Sequence, residues 1–240
     1  MAGNVRPMPT PPSIEAPWKA GLRGARANLV PGLVLQTFAL ALVLGYYFAP
    51  GVADALRHLE TFRERVGITY SIVSTALFGG VIPWLYMKAN PATRLRYTVA
   101  QGLALIAFWG YKGVEMHLLY GGMAELFGHD NTIGTVVKKV LVDQFVYCPL
   151  LAVPGMWLAY AWVEGNFALK PIITNVRQGG WIMREFVPVF IANFGVWMPT
   201  VCIIYTLPTV LQLPLENLVL CFFTLMLAHL SQREPATGSQ

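Results

Sequence analysis

The sequence predicts an all-α fold, a polytopic integral membrane bundle of about six transmembrane helices, and three observations carry that prediction. Of 240 residues, 55% are hydrophobic and only 12% charged, and the mean hydropathy is +0.53. Soluble domains carry about 25% charged residues, and twelve acids with seventeen bases cannot coat one of this length. Uncharged runs reach the roughly 20 residues that a helix rising about 1.5 Å per residue needs to cross about 30 Å of hydrocarbon. Lysine and arginine are also distributed unevenly among the segments that join those runs.

Residues 1–27 read as a disordered or interfacial arm, with Pro9, Pro11 and Pro12 opposing a helix. In it Trp18, Lys19, Arg23 and Arg26 can lie on headgroups. A mitochondrial presequence competes, because the arm is basic with Glu15 as its one acid, although the prolines count against an amphipathic helix. Residues 28–67 read as an additional N-terminal transmembrane helix and a loop. The run 29–50 is too long for a signal-peptide core and lacks a small-residue cleavage site after it.

A transmembrane core over 68–232 follows, then a tail at 233–240. Its first span is 68–87. The second is charge-free over 97–111 and continues through Lys112 and Glu115 to Tyr120; the third is 140–163. The run 186–215 is uncharged but punctuated by prolines, and 217–231 closes the set. That last helix is short between Glu216 and Arg233 unless it begins nearer Thr209.

The positive-inside rule orients this arrangement. With the N-terminus inside, the inner segments hold eleven basic residues: Arg6, Lys19, Arg23, Arg26, Lys88, Arg94, Arg96, Lys170, Arg177, Arg184 and Arg233. The outer segments hold five, Arg57, Arg63, Arg65, Lys138 and Lys139. Both termini are therefore expected in the cytoplasm. The basic balance fits anionic headgroups, not nucleic acid, since no basic cluster with interleaved aromatics sits in a soluble domain. The expected partners are the lipid bilayer, small solutes and a second copy of the chain.

Cys148, Cys202 and Cys221 each sit in an apolar run without CxxC spacing and read as small buried hydrophobes. The histidines show no metal spacing. No HExxH, no nucleophile beside a base and no Gly-rich phosphate loop appears, so neither an enzyme nor a cofactor is expected.

Three polar groups stand out. Lys112 and Glu115 are three apart and share a helix face, whereas His117 points elsewhere. The pair marks either an interfacial helix end with a snorkelling lysine or a bundle cavity that contacts a solute. Asp143 and Gln144 interrupt the run that follows Lys138 and Lys139, and an intramembrane carboxylate costs roughly 2.5–3.5 kcal/mol on insertion scales. Either Lys139, one turn back, pairs with Asp143 near the interface, or Asp143 and Gln144 lie deeper, bonded to a partner helix or to Lys112, or lining an aqueous path. Third, Pro149, Pro154, Pro188, Pro199, Pro208 and Pro214 each free an upstream carbonyl and predict helix kinks. Asn193, Trp197 and Tyr205 can satisfy such groups.

The stretch Lys138-Lys139-Val-Leu-Val-Asp143-Gln144-Phe-Val-Tyr-Cys-Pro149, closed by Glu164-Gly165, resembles the signature of the Mpv-seventeen family, small integral membrane proteins of mitochondria and peroxisomes that include the twenty-two-kilodalton peroxisomal membrane protein. Phe108-x-Gly110, His117-Leu-Leu-Tyr120, Asn193-Phe194-x-x-Trp197-Met198-Pro199, Asn217-Leu218-Val219 and Leu230-Ser231 are similar to other family elements, and the resemblance runs from about 68 to 231. It departs where the family has Gly-Asp, replaced here by Val81-Ile82-Pro83, and where it has Tyr-Arg, replaced by Leu211-Gln212-Leu213-Pro214. The resemblance implies a divergent member, expected in a prokaryotic cytoplasmic membrane or alternatively in a mitochondrial inner or peroxisomal one: a helical bundle that forms a weakly selective small-solute channel, or one that supports membrane homeostasis with Asp-Gln as a helix clamp. In the channel reading Lys112, Glu115, Asp143, Gln144 and Asn193 hydrate a path between bent helices; in the clamp reading Lys139 joins Asp143.

Overall fold

A computed structural model describes residues 16–91 and 93–230. The arm at 1–15, the close of the family resemblance at Ser231 and the tail at 233–240 lie outside the described residues. All regular structure among those described is helical. Three stretches are long and apolar enough to cross a membrane: Leu29–Phe48, Ile68–Ala89 and Ile182–Ile204. Only 28%, 33% and 22% of their apolar windows are buried within the protein. Most of each span therefore faces outward, which marks the chain as a membrane protein, since so much exposed apolar surface needs lipid.

Helix α1 (Pro17–Ala27) begins on a proline, whose missing N–H costs nothing in the first turn. The prolines of the arm left the sequence without an expected helix here. Gly21 and Gly24 let α1 approach closely the helix that carries Ile191 and Ala192, and a Cβ at Gly21 would lie 2.7 Å from the Ile191 Cβ. Trp18, Lys19, Arg23 and Arg26 stay exposed. Helix α2 (Leu29–Phe48) is the first apolar stretch. The segment expected as a loop is instead helix α3 (Pro50–Val66), again opened by proline and ended by Gly67 at a φ of 62°.

Helix α4 (Ile68–Thr75) passes through a π-helical stretch, Ala76–Val81, into α5 (Ile82–Ala89). Helix α6 (Val99–Phe127) has 29 residues, about 43 Å at the α-helical rise. Its start is a capping box: Thr98 Oγ1 accepts from Gln101 N and Gln101 Oε1 accepts from Thr98 N. Gln101 Nε2 donates to the Val163 carbonyl at 2.9 Å, which fastens this end of α6 to the end of a later helix. Where α6 crosses α4, a Cβ on Gly113 would collide with the Ser71 carbonyl, so the backbones touch.

Helix α7 (Ile133–Val142) widens into a second π-helical stretch, Asp143–Ala152, and continues as α8 (Val153–Glu164). Helix α9 (Lys170–Arg177) is short; a third π-helical stretch, Ile182–Phe186, then feeds α10 (Val187–Ile204), and α11 (Thr209–Leu230) closes the fold. The prolines account for the π windings. Pro83, Pro154 and Pro188 sit in the first turn of the helix that follows each winding, and the wider register relieves the clash between the ring and the carbonyl four residues back. Pro149 lies inside the second winding, while Pro199 and Pro214 lie inside α10 and α11. The kink expected at Pro208 is a complete break, because α10 ends at Ile204 and α11 starts at Thr209. The last helix thus has the longer extent, and Glu216 falls within it instead of bounding it.

The core lies where α2, α6, α7, α10 and α11 meet, around Leu35, Tyr120, Val140, Ile204 and Leu211. Outward positions such as Val30, Leu103, Leu118 and Leu150 are more than half exposed, so the inward and outward faces of these helices are both apolar.

Candidate functional site

The polar residues singled out in the sequence converge at the second π-helical winding. Lys112, on α6, is 4% exposed, so its ammonium does not snorkel outward. It forms an ion pair with Glu115, one turn on, and donates to the Tyr147 hydroxyl at 2.8 Å. Tyr147 in turn donates to Glu115. Three side chains from two helices therefore share one proton-rich knot, and a buried ammonium is matched by both charge and hydrogen bonds. His117 turns away, its Nδ1 lying 3.1 Å from Ser71 Oγ on α4.

Asp143 is 4% exposed and Gln144 1%. Tyr205, just beyond α10 and fully buried, donates to Asp143 Oδ2 at 2.8 Å. Gln144 Nε2 donates to Asp143 Oδ1 at 3.0 Å, and Cys148 Sγ lies 3.6 Å from the same oxygen. The carboxylate thus holds α7 to the chain beyond α10 through tyrosine. Among the described residues no ion pair joins Lys139 to Asp143, which corrects the lysine-paired clamp. Lys139 is buried at 1% exposure. The donors to Asp143 are instead Tyr205 on Oδ2, and Gln144 and Cys148 of its own helix on Oδ1.

The two groups meet in one cavity of about 330 Å³ whose wall includes Lys112, Asp143, Gln144 and Asn193. Glu115 meets it through Lys112 and Tyr147, and Lys139 does not line it. A fourth element contributes Glu216 from α11, a carboxylate the sequence presented only as the edge of a hydrophobic run. Tyr120, Trp197 and Phe223 form much of the remaining wall. Tyr147 and Glu216 were missed as site residues. The signal for Tyr147 was its position one turn after Asp143; for Glu216 it was a lone carboxylate between Leu215 and Asn217 in a run otherwise fit for a helix.

A second cavity, of about 390 Å³, shares Trp109, Tyr160 and Thr224 with the first and extends to Arg96 and Tyr97 in the segment before α6. The Trp109 indole N–H donates to the Tyr160 hydroxyl at 3.3 Å between the two cavities. At the far end Arg96 faces Glu164 at 3.8 Å, and the Tyr97 hydroxyl donates to the same carboxylate. Two chambers are therefore arranged in series, one reaching a charged and half-exposed end, the other lined by buried charge. Among the described residues no cluster of metal-ligating side chains occurs. Compared with family models, with characterised proteins and with solved structures, the chain matches none.

Proposed function

We propose that this membrane protein is a six-span bundle providing a weakly selective path for small solutes, running through the two chambers past Lys112, Asp143, Gln144 and Asn193. The sharing of Trp109 and Tyr160 by both cavities carries this reading. A structural clamp needs polar groups bonded to one another, but it does not need two chambers abutting within the bundle. The Trp109–Tyr160 contact is the constriction, and Arg96 with Glu164 is the mouth on the cytoplasmic side. In this reading α6, the stretch 133–164 and α11 complete the six spans begun by the three apolar stretches.

Purified protein in liposomes loaded with a small neutral sugar and a small ion tests it. Wild-type protein should release both, and Asp143→Asn should change the ion-to-sugar ratio while the protein remains folded and monodisperse. Absence of release from correctly inserted protein would leave Asp143 and Gln144 as ties between helices and would refute the path.

A further inference from the structure

The inner chamber is lined by more carboxyl groups than cations. Asp143 and Glu216 line it against Lys112, which is already paired to Glu115 behind the wall. The wall itself thus holds two carboxyl groups against one cation, so an added positive charge complements it. A buried unmatched charge is costly, and a mobile cation offsets it without side-chain rearrangement.

The hydrogen-bond inventory points to the same partner. Gln144 Oε1 and Glu216 Oε2 are occluded from solvent and have no donor. Both are acceptors. The Gln144 amide cannot be turned to relieve this, because its Nε2 donates to Asp143, which has only acceptor oxygens to offer when ionised. An ammonium is the complementary group, with three donors and no acceptor. Trp197 and Phe223 on the same wall meet edge-on, with centroids 6.2 Å apart, and aromatic rings both attract a cation and cover an apolar body. The volume lies at the small end of ligand pockets, which run from roughly 300 to 1,000 Å³.

We propose that the inner chamber is a binding site for a small organic ammonium ion, its charge held between Asp143 and Glu216 and its apolar part against Trp197 and Phe223. The inference deepens the proposed path, since it names the solute class of the same cavity, but it concerns equilibrium binding and not flux.

Tryptophan fluorescence of the full-length protein in phosphatidylglycerol nanodiscs, titrated with phenethylammonium or with neutral 2-phenylethanol, reads it directly. Phenethylammonium should give a saturable change and bind at least tenfold more tightly than the alcohol. Glu216→Gln, nearly the same shape, should remove most of that preference, and Trp197→Leu should diminish the signal. Equal binding of the two probes to the wild-type protein would overturn the proposal, and this comparison needs no variant to fold. Binding unchanged in a folded Glu216→Gln protein would overturn it as well. Competition by added phosphatidylethanolamine would identify a lipid headgroup as the ammonium source, and its absence a free amine. Ammonium binding without liposome release would leave this site standing and remove the path; release without ammonium preference would do the reverse.

Discussion

Replacing Tyr205 by phenylalanine removes one hydroxyl and leaves the ring, which meets Tyr120 edge-on with centroids 5.7 Å apart. The lost bond is the 2.8 Å contact to Asp143 Oδ2, the one side-chain donor found on that oxygen among the described residues. Gln144 and Cys148 both serve Oδ1. Two magnitudes bear on the cost. Hydrogen bonds to charged groups contribute about 1.5–3 kcal/mol in soluble proteins, whereas side-chain bonds between membrane helices average about 0.6 kcal/mol with a maximum near 1.7. The second figure is low because a separated helix finds other partners, whereas Asp143, at 4% exposure, stays packed in place when the hydroxyl is removed. The expected loss is therefore close to the membrane maximum, about 1.5 kcal/mol, or slightly over tenfold in the unfolding constant. Unfolding by sodium dodecyl sulfate in mixed micelles, followed by tryptophan fluorescence, measures it. Tyr47→Phe is the comparison, since that exposed hydroxyl donates to the neutral Thr206 carbonyl and should cost about 0.5 kcal/mol or less. A Tyr205→Phe protein within about 0.3 kcal/mol of wild type would refute the view that Asp143 is held across helices by this bond.

Gly113→Ala should lower stability by about 1–3 kcal/mol in the same titration, because its Cβ would collide with the Ser71 carbonyl. Gly121→Ala, on the same helix with open space around it, should instead be neutral or stabilising by up to about 1 kcal/mol. Asp130, in the segment before α7, accepts from the Thr132 N–H at 3.0 Å and from its hydroxyl at 2.6 Å, and these bonds hold its carboxyl down to about 2. A depressed folded value adds stability that is present above the unfolded value near 4 and is lost as pH falls through about 2. The stability difference between wild type and Asp130→Asn should therefore shrink between pH 5 and pH 2, and a pH-independent difference would contradict that origin.

The apolar runs made the all-helical class legible, and 29–50 and 68–87 correspond closely to α2 and to α4 through α5. Helix α3 was hidden because its charged residues signal a water-facing loop as readily as an amphipathic helix. Proline marked the π windings without revealing them, since register depends on how the bundle absorbs each ring clash. The capping box of α6 was legible in Thr98-Val-Ala-Gln101 and went unused. At the site, the spacing of Lys112 and Glu115 anticipated their pairing. The partner of Asp143 could not be read from Lys139, one turn away, because Tyr205 is 62 residues distant and only the packing of α7 against α10 brings it there. Glu216 was concealed by its role as an apparent boundary.

Water access to the inner chamber tests the proposed path most directly. With Cys148, Cys202 and Cys221 replaced by alanine and Asn193→Cys introduced on the cavity wall, a membrane-impermeant thiosulfonate carrying a trimethylammonium group should modify the folded protein in liposomes and slow solute release. Failure of the folded protein to react, when the same thiol reacts after unfolding, would contradict a path through this cavity.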